Sequence, residues 1–227
     1  MNLEQREVRF YRTAKESLLS AGFASEIDWQ LEQNFGAFTE TDLLRESAWV
    51  ILCSGFREAV VRRCFDVISL CFCDWESAAD ICNSAPLCRS TALAAFGNRQ
   101  KIDAILGTAA MVNRLGFAQL KQNILRDPIC SVQLLPFIGP ITAFHLAKNL
   151  GYATAKPDRH LVRIAGTLGY EDVHQLCSSL SQATGDPIQV VGVVLWRYAE
   201  HKGSLDHIRI HTQTPSSSAA SALQGRF

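Results

Sequence analysis

The sequence predicts an all-α fold, and three observations carry that expectation. Residues that start and stop helices recur along the chain, and strand-like alternation bounded by turns is nearly absent. An Asp-Pro pair twice precedes a run of helical periodicity, at Asp127-Pro128 and Asp186-Pro187. Asp at the cap and Pro at the first helical position suit a helix start, because the N–H that Pro lacks would be unpaired there anyway.

Taken in order, residues 3–20 form an amphipathic helix after Asn2, with Val8, Tyr11, Leu18 and Leu19 inward. Ser25 with Asp28 caps a second short helix that ends at Gly36. Thr41 opens a third, running through Leu43, Leu44, Ala48, Val50, Ile51 and Leu52 to Gly55. Residues 57–72 are strongly apolar at Val60, Val61, Phe65, Ile68 and Leu70, yet Arg62, Arg63 and Asp66 fit a helix with one wet face better than a strand. After Asp74 a short helix leads to Pro86, and Arg99 to Leu115 is a helix entered from Gly97-Asn98 and left at Gly116. His211 to Phe227 has no apolar face and is expected to be a disordered tail behind a single all-helical domain over residues 1–210.

Composition narrows the function classes. The chain has 227 residues and 48% apolar content, enough for a large helical domain or two small lobes. No segment reaches the ~20 apolar residues of a membrane span, and the charged start Met1–Glu7 is no secretory signal, so a cytoplasmic, monomeric protein away from membranes is expected. The eight cysteines form no Cys-x-x-Cys pair and no zinc spacing, and Cys64, Cys71 and Cys73 lie among apolar residues, which predicts core thiols and no metal or cofactor. Net charge is zero, but residues 135–170 set Lys148, Lys156, Arg159 and Arg163 against the single acid Asp158, so one face can still attract phosphate.

The informative segment is Leu134-Leu135-Pro136-Phe137-Ile138-Gly139-Pro140-Ile141-Thr142, continuing apolar to Gly151. A helix from Pro128 ends at the Leu-Pro pair, a tight hairpin follows, and a second helix starts at Pro140. Gly139 is expected to let the backbone turn and approach another group closely. The unpaired N–H groups of the hairpin and of the new helix's first turn, with the helix dipole, make a phosphate site. Nineteen residues after Gly139, Asp158 precedes the helical run Arg159–Leu168.

Hairpin and aspartate at this spacing resemble the helix-hairpin-helix superfamily of endonuclease III and alkyladenine glycosylase, whose hairpin reads roughly Leu-Pro-Gly-Val-Gly. Phe137 stands where the first glycine of that hairpin would be. Over residues 45–200 the likeness extends to Glu46–Arg57, similar to the family's early helix without its glutamine, and to Phe96-Gly97-Asn98-Arg99-Gln100-Lys101, similar to a helix start after a Gly-aromatic turn. The resemblance implies two helical lobes with the active site between them, and a DNA N-glycosylase acting on double-stranded DNA with a damaged or modified base.

By the same resemblance Asp158 is the catalytic carboxylate, stabilising positive charge on the sugar and orienting water. Pro136, Phe137, Ile138, Gly139, Ile141, Thr142 and His160 are the expected DNA contacts, mostly through backbone amides. The family's Schiff-base lysine position holds Ile141, which implies base removal by water without strand cleavage. The four-cysteine iron–sulfur ligand set of many relatives is absent, the last cysteine being Cys177. Trp49, Phe56, Arg57 and Lys156 are candidates for the base pocket or the wedge that fills the flipped base's place. For Trp49 and Phe56 a core position is the bland alternative; Lys148 and Lys156 read more simply as surface charges near phosphate, and His145 as structural. A non-catalytic hairpin DNA-binding protein, or a helical interaction protein, is the competing reading, and the base removed stays open.

Overall fold

Capping chemistry sets most of the helix boundaries in the computed structural model, which describes residues 3–202. The expected tail at 211–227 lies outside the described residues. Helix α1 (Leu3–Ser20) closes at Gly22, whose φ of 87° is left-handed, with Phe23 N–H donating to Leu18 O at 3.0 Å. That closure starts α2 (Ala24–Glu32) at once, so Ser25 lies inside the helix instead of capping it, and the helix stops at Glu32, short of Gly36. Tyr11 and Leu18 are buried as expected, whereas Leu19 is exposed.

Helix α3 (Glu40–Cys53) starts before Thr41, because Thr39 and Asp42 close a capping box, each backbone N–H donating to the other's side chain at 2.8 and 3.1 Å. Helix α4 (Glu58–Cys71) buries Val61, Phe65 and Ile68, while Arg62, Arg63 and Asp66 stay outside the core. A left-handed turn at Cys73–Trp75 leads to α5 (Ala78–Asn83), capped by Ser77. Pro86 stands in the first turn of α6 (Ala85–Ala95), where it begins a helix instead of ending one. Helix α7 (Arg99–Leu115) has the expected limits, with Asn98 as cap.

Helix α8 (Phe117–Arg126), not expected from the sequence, precedes α9 (Pro128–Val132), which Asp127 caps as anticipated. Helices α10 (Pro140–Asn149), α11 (Arg159–Leu168), α12 (Val173–Thr184) and α13 (Ile188–Lys202) complete the described residues, which contain no strand. The second Asp-Pro pair works differently from the first: Asp186 accepts hydrogen bonds from Tyr11 Oη at 2.6 Å and Lys15 Nζ at 2.7 Å, tying α1 to the start of α13.

Two separate apolar cores result. One is built from Phe38 to Leu150, over α3–α10. The other joins α1 and α2 to α11–α13 around Phe10, Tyr11, Ile164, Leu176 and Leu195, so the chain's early and late helices form one lobe and its middle forms another. Cys88 and Cys177 are buried in these cores; Cys53, Cys64, Cys71, Cys73 and Cys82 pack at the edge of the first; Cys130 is exposed. No helix among the described residues is long and apolar enough to cross a membrane.

Candidate active site

The hairpin between α9 and α10 is anchored by its buried residues. Leu135 and Ile138 point into the first core, and Ile138 N–H donates to Leu135 O at 3.2 Å. Pro136 packs on α7 at Gly107, where a Cβ would lie 3.1 Å from the proline ring, a contact tighter than most side chains make. Phe137 occupies the left-handed turn position with φ 67°, a conformation that costs an L-residue about 1–2 kcal/mol relative to glycine. The residue is 44% exposed and its ring centroid lies 4.9 Å from Lys101 Nζ.

Gly139 therefore does not make the turn, contrary to expectation. It is extended, with φ −96° and ψ −178°, and a Cβ there would meet only Thr142 Oγ1 at 3.9 Å. Its N–H donates to Thr142 Oγ1 at 2.7 Å, and Gly139 supplies no side-chain cap to α10. Pro140 has no N–H, so the Ile141 and Thr142 amides carry the unpaired donors of this helix end. Ile141 is half exposed beside them. Ile138 can contact a ligand through its backbone alone.

Asp158 caps α11: its Oδ1 accepts from His160 N–H at 2.9 Å and Leu161 N–H at 3.1 Å. Among the described residues Oδ2 has no hydrogen-bond partner. The turn before it is tight, with Asp158 N–H donating to Lys156 O at 2.8 Å. Ala155 rests against Gly192 of α13, where a Cβ would fall 2.8 Å from the alanine Cβ. Lys156 Nζ reaches 3.5 Å from His145 Nδ1 on α10, and His160 lies beside Arg159, whose Nε is 3.3 Å from its Nε2.

His145 lines a cleft of about 430 Å³ between the two lobes; Lys156 reaches it from outside, and neither Lys156 nor Asp158 is among the lining residues. Trp29, Trp49, Phe65 and Trp196 give the cleft flat apolar surfaces, and Phe56 also lines it. Trp49 stands edge-on to Phe65 with centroids 5.0 Å apart, and Arg62 lies over its ring at 5.6 Å. Phe56, 42% exposed, lies 5.3 Å from Lys101 Nζ, the same ammonium that Phe137 flanks. Arg57, the cap residue of α4, is exposed and does not line the cleft.

Polar groups close the inner wall. Glu46 Oε2 accepts from Asn149 Nδ2 at 2.8 Å, and Asn149 Oδ1 is buried without a donor. Lys148 Nζ donates to Gln30 Oε1 at 2.6 Å, and Gln30 Nε2 returns a bond to Lys148 O at 3.1 Å. Burial pushes Lys148 down to about 8 and pushes the Glu46 carboxyl up. Burial, then the neighbouring Lys156 and Lys148 charges, hold His145 well below its ordinary value, so it is a neutral imidazole. Arg197 of α13 donates to Glu26 of α2 at 2.7 Å and to Glu58 of α4 at 2.8 Å, bridging the lobes where both glutamates line the cleft.

A further expectation is corrected here. Lys148 is a buried cleft residue, not a surface charge: Gln30 of α2 receives its ammonium, which lies 5.9 Å from the Trp29 ring centroid. His145, expected to be structural, is among the residues that line the cleft. Glu46, Asn149, Trp29 and Trp196 were not expected in the site. An acidic residue, Glu46, between Leu44 and the apolar run from Ala48 was the signal the sequence offered. No group of three or more His, Cys, Asp or Glu side chains is placed to hold a metal among the described residues. No protein-family model, curated protein or solved structure matches the chain.

Proposed function

We propose that this chain is a DNA N-glycosylase that takes a damaged or modified base into the inter-lobe cleft and removes it with water, leaving an abasic site. The observation that carries the reading is the placement of Asp158. One oxygen of its carboxylate caps α11 and the other is free; Asp158 does not itself line the cleft, but Lys156, two residues before it, reaches His145, which does. A carboxylate so fixed can stabilise positive charge on a sugar whose base is held in the cleft, and can orient water.

The cleft supports this reading over a simple phosphate-binding protein. Its volume falls in the range of small-molecule sites, and its tryptophans offer stacking faces for a flat heterocycle. A protein that only grips phosphate needs no such cavity. The amides of Ile141 and Thr142 would hold the backbone of duplex DNA without reading its sequence, and Phe56 would enter the space the base leaves.

The test is single-turnover base release from a panel of modified duplexes, comparing wild type with Asp158→Asn. Release by the wild type and its loss in the variant supports the reading. Duplex binding with no release from any member of the panel favours the non-catalytic alternative.

A further inference from the structure

Phe56 and Phe137 belong to different turns, yet both rings meet one buried ammonium. Lys101 of α7 is 3% exposed, with Nζ 5.3 Å from the Phe56 ring centroid and 4.9 Å from that of Phe137. Its three protons are spent on the end of α3, donated to the carbonyls of Ile51, of Leu52 at 3.2 Å and of Ser54 at 2.7 Å. The ammonium therefore cannot swing to follow either ring. It is a fixed point, and the rings take their places from it.

Both rings also keep part of their surface in solvent, 42% of Phe56 and 44% of Phe137. Phe56 follows Gly55, whose left-handed φ of 76° turns the chain between α3 and α4, and its ring lies 5.2 Å from that of Phe96. Phe137 turns the hairpin, whose Pro136 leans on the same α7 at Gly107. A cation gains more from an aromatic face when water is kept from it. With both rings in place Lys101 is nearly dry. Without one of them water reaches the ammonium, and the remaining ring is held less firmly.

We propose that Lys101 is a positioning residue that couples the hairpin's grip on the DNA backbone to the entry of Phe56 into the duplex. The inference rests on the glycosylase reading above. A phosphate held by the Ile141 and Thr142 amides seats the hairpin, and the seated hairpin keeps Phe137 against Lys101. The dry ammonium then holds the Phe56 ring in one orientation, ready for the space the base leaves. Gripping the strand and filling the gap become one event.

The test uses the full chain and two duplexes, one intact and one with a tetrahydrofuran abasic analogue opposite 2-aminopurine, whose fluorescence changes as a ring enters beside it. Phe56→Leu should abolish most of that change. Phe137→Leu, in the hairpin, should also reduce it, and should lower the preference for the gapped over the intact duplex by roughly fivefold. In Lys101→Met the change should already be reduced, and adding Phe137→Leu should reduce it no further. A full signal from Phe56→Leu overturns the proposal. So does Phe137→Leu weakening both duplexes equally with its fluorescence change intact, or acting as strongly in Lys101→Met as in wild type. If Lys101→Met does not fold, the two phenylalanine variants decide alone. Base release from the panel of modified duplexes with an unaltered signal from Phe137→Leu removes this inference and leaves the glycosylase reading standing; binding of neither duplex removes both.

Discussion

Lys101 Nζ lies 4.9 Å from the ring centroid of Phe137, so a buried ammonium on α7 backs the residue that turns the hairpin. The same ammonium donates to Leu52 O at 3.2 Å and Ser54 O at 2.7 Å, closing the C-terminus of α3. Lys101→Met removes these bonds and leaves buried carbonyls unpaired. It should cost about 2 kcal/mol, since hydrogen bonds to charged groups are worth roughly 1.5–3 kcal/mol and the ammonium's own desolvation is relieved. Urea denaturation of the variant checks the figure.

Phe137→Gly tests the hairpin directly. Glycine relieves about 1–2 kcal/mol of left-handed backbone cost and forfeits a cation–π contact worth about 1 kcal/mol. Stability should stay within about 1 kcal/mol of wild type, as read by chemical denaturation. A large loss would show that the ring, not the backbone, holds the hairpin.

Asp158→Asn keeps the oxygen that accepts from His160 and Leu161, so α11 stays capped and the fold survives. The charge is lost. DNA affinity should stay near wild type while base release slows by about 10²–10³. Release within a few-fold of wild type would reduce Asp158 to a helix cap.

Ile141 in place of an amine predicts abasic product with an intact strand. Borohydride should trap no protein–DNA adduct. If an adduct forms, Lys148 and Lys156, which respectively lines and adjoins the cleft, are the amines to substitute first.

Lys148 also gives a pH signature. Its folded-state value of about 8 lies below the usual 10.5, so between these values the unfolded chain binds a proton that the folded chain does not. Stability therefore rises with pH across that window, and below it the buried charge is a constant burden. Relative to Lys148→Met, the wild type should gain roughly 1.4 kcal/mol for each pH unit crossed inside the window, as followed from about pH 7 to about pH 10. A flat difference between the two proteins would show that Lys148 is not desolvated.

The helices were readable where capping chemistry is local. Asn98 before Arg99 and Asp127 before Pro128 fixed two starts, because side chain and backbone partner lie within three residues. Asp186 reads identically in sequence, yet its carboxylate goes to Tyr11 and Lys15, 175 and 171 residues away, and no local rule carries that distance. The site was half legible for the same reason. Asp158 and the hairpin are contiguous signals, whereas Glu46 meets Asn149 across 103 residues and Lys148 meets Gln30 across 118. The left-handed turn at Phe137 was masked by its residue type, since sequence assigns such φ values to glycine.

The lobe made from the first and last described helices has a consequence for synthesis. Helices α1 and α2 leave the ribosome before the middle of the chain, but their partners in the core, α11–α13, are made more than a hundred residues later. At typical elongation rates of about 5–20 residues per second, Phe10, Tyr11 and Leu18 wait several seconds with an uncovered apolar stripe while the middle of the chain can already fold upon itself. Until α11–α13 are made, the stripe on α1 and α2 has no core to enter, while the residues of the other core can already meet.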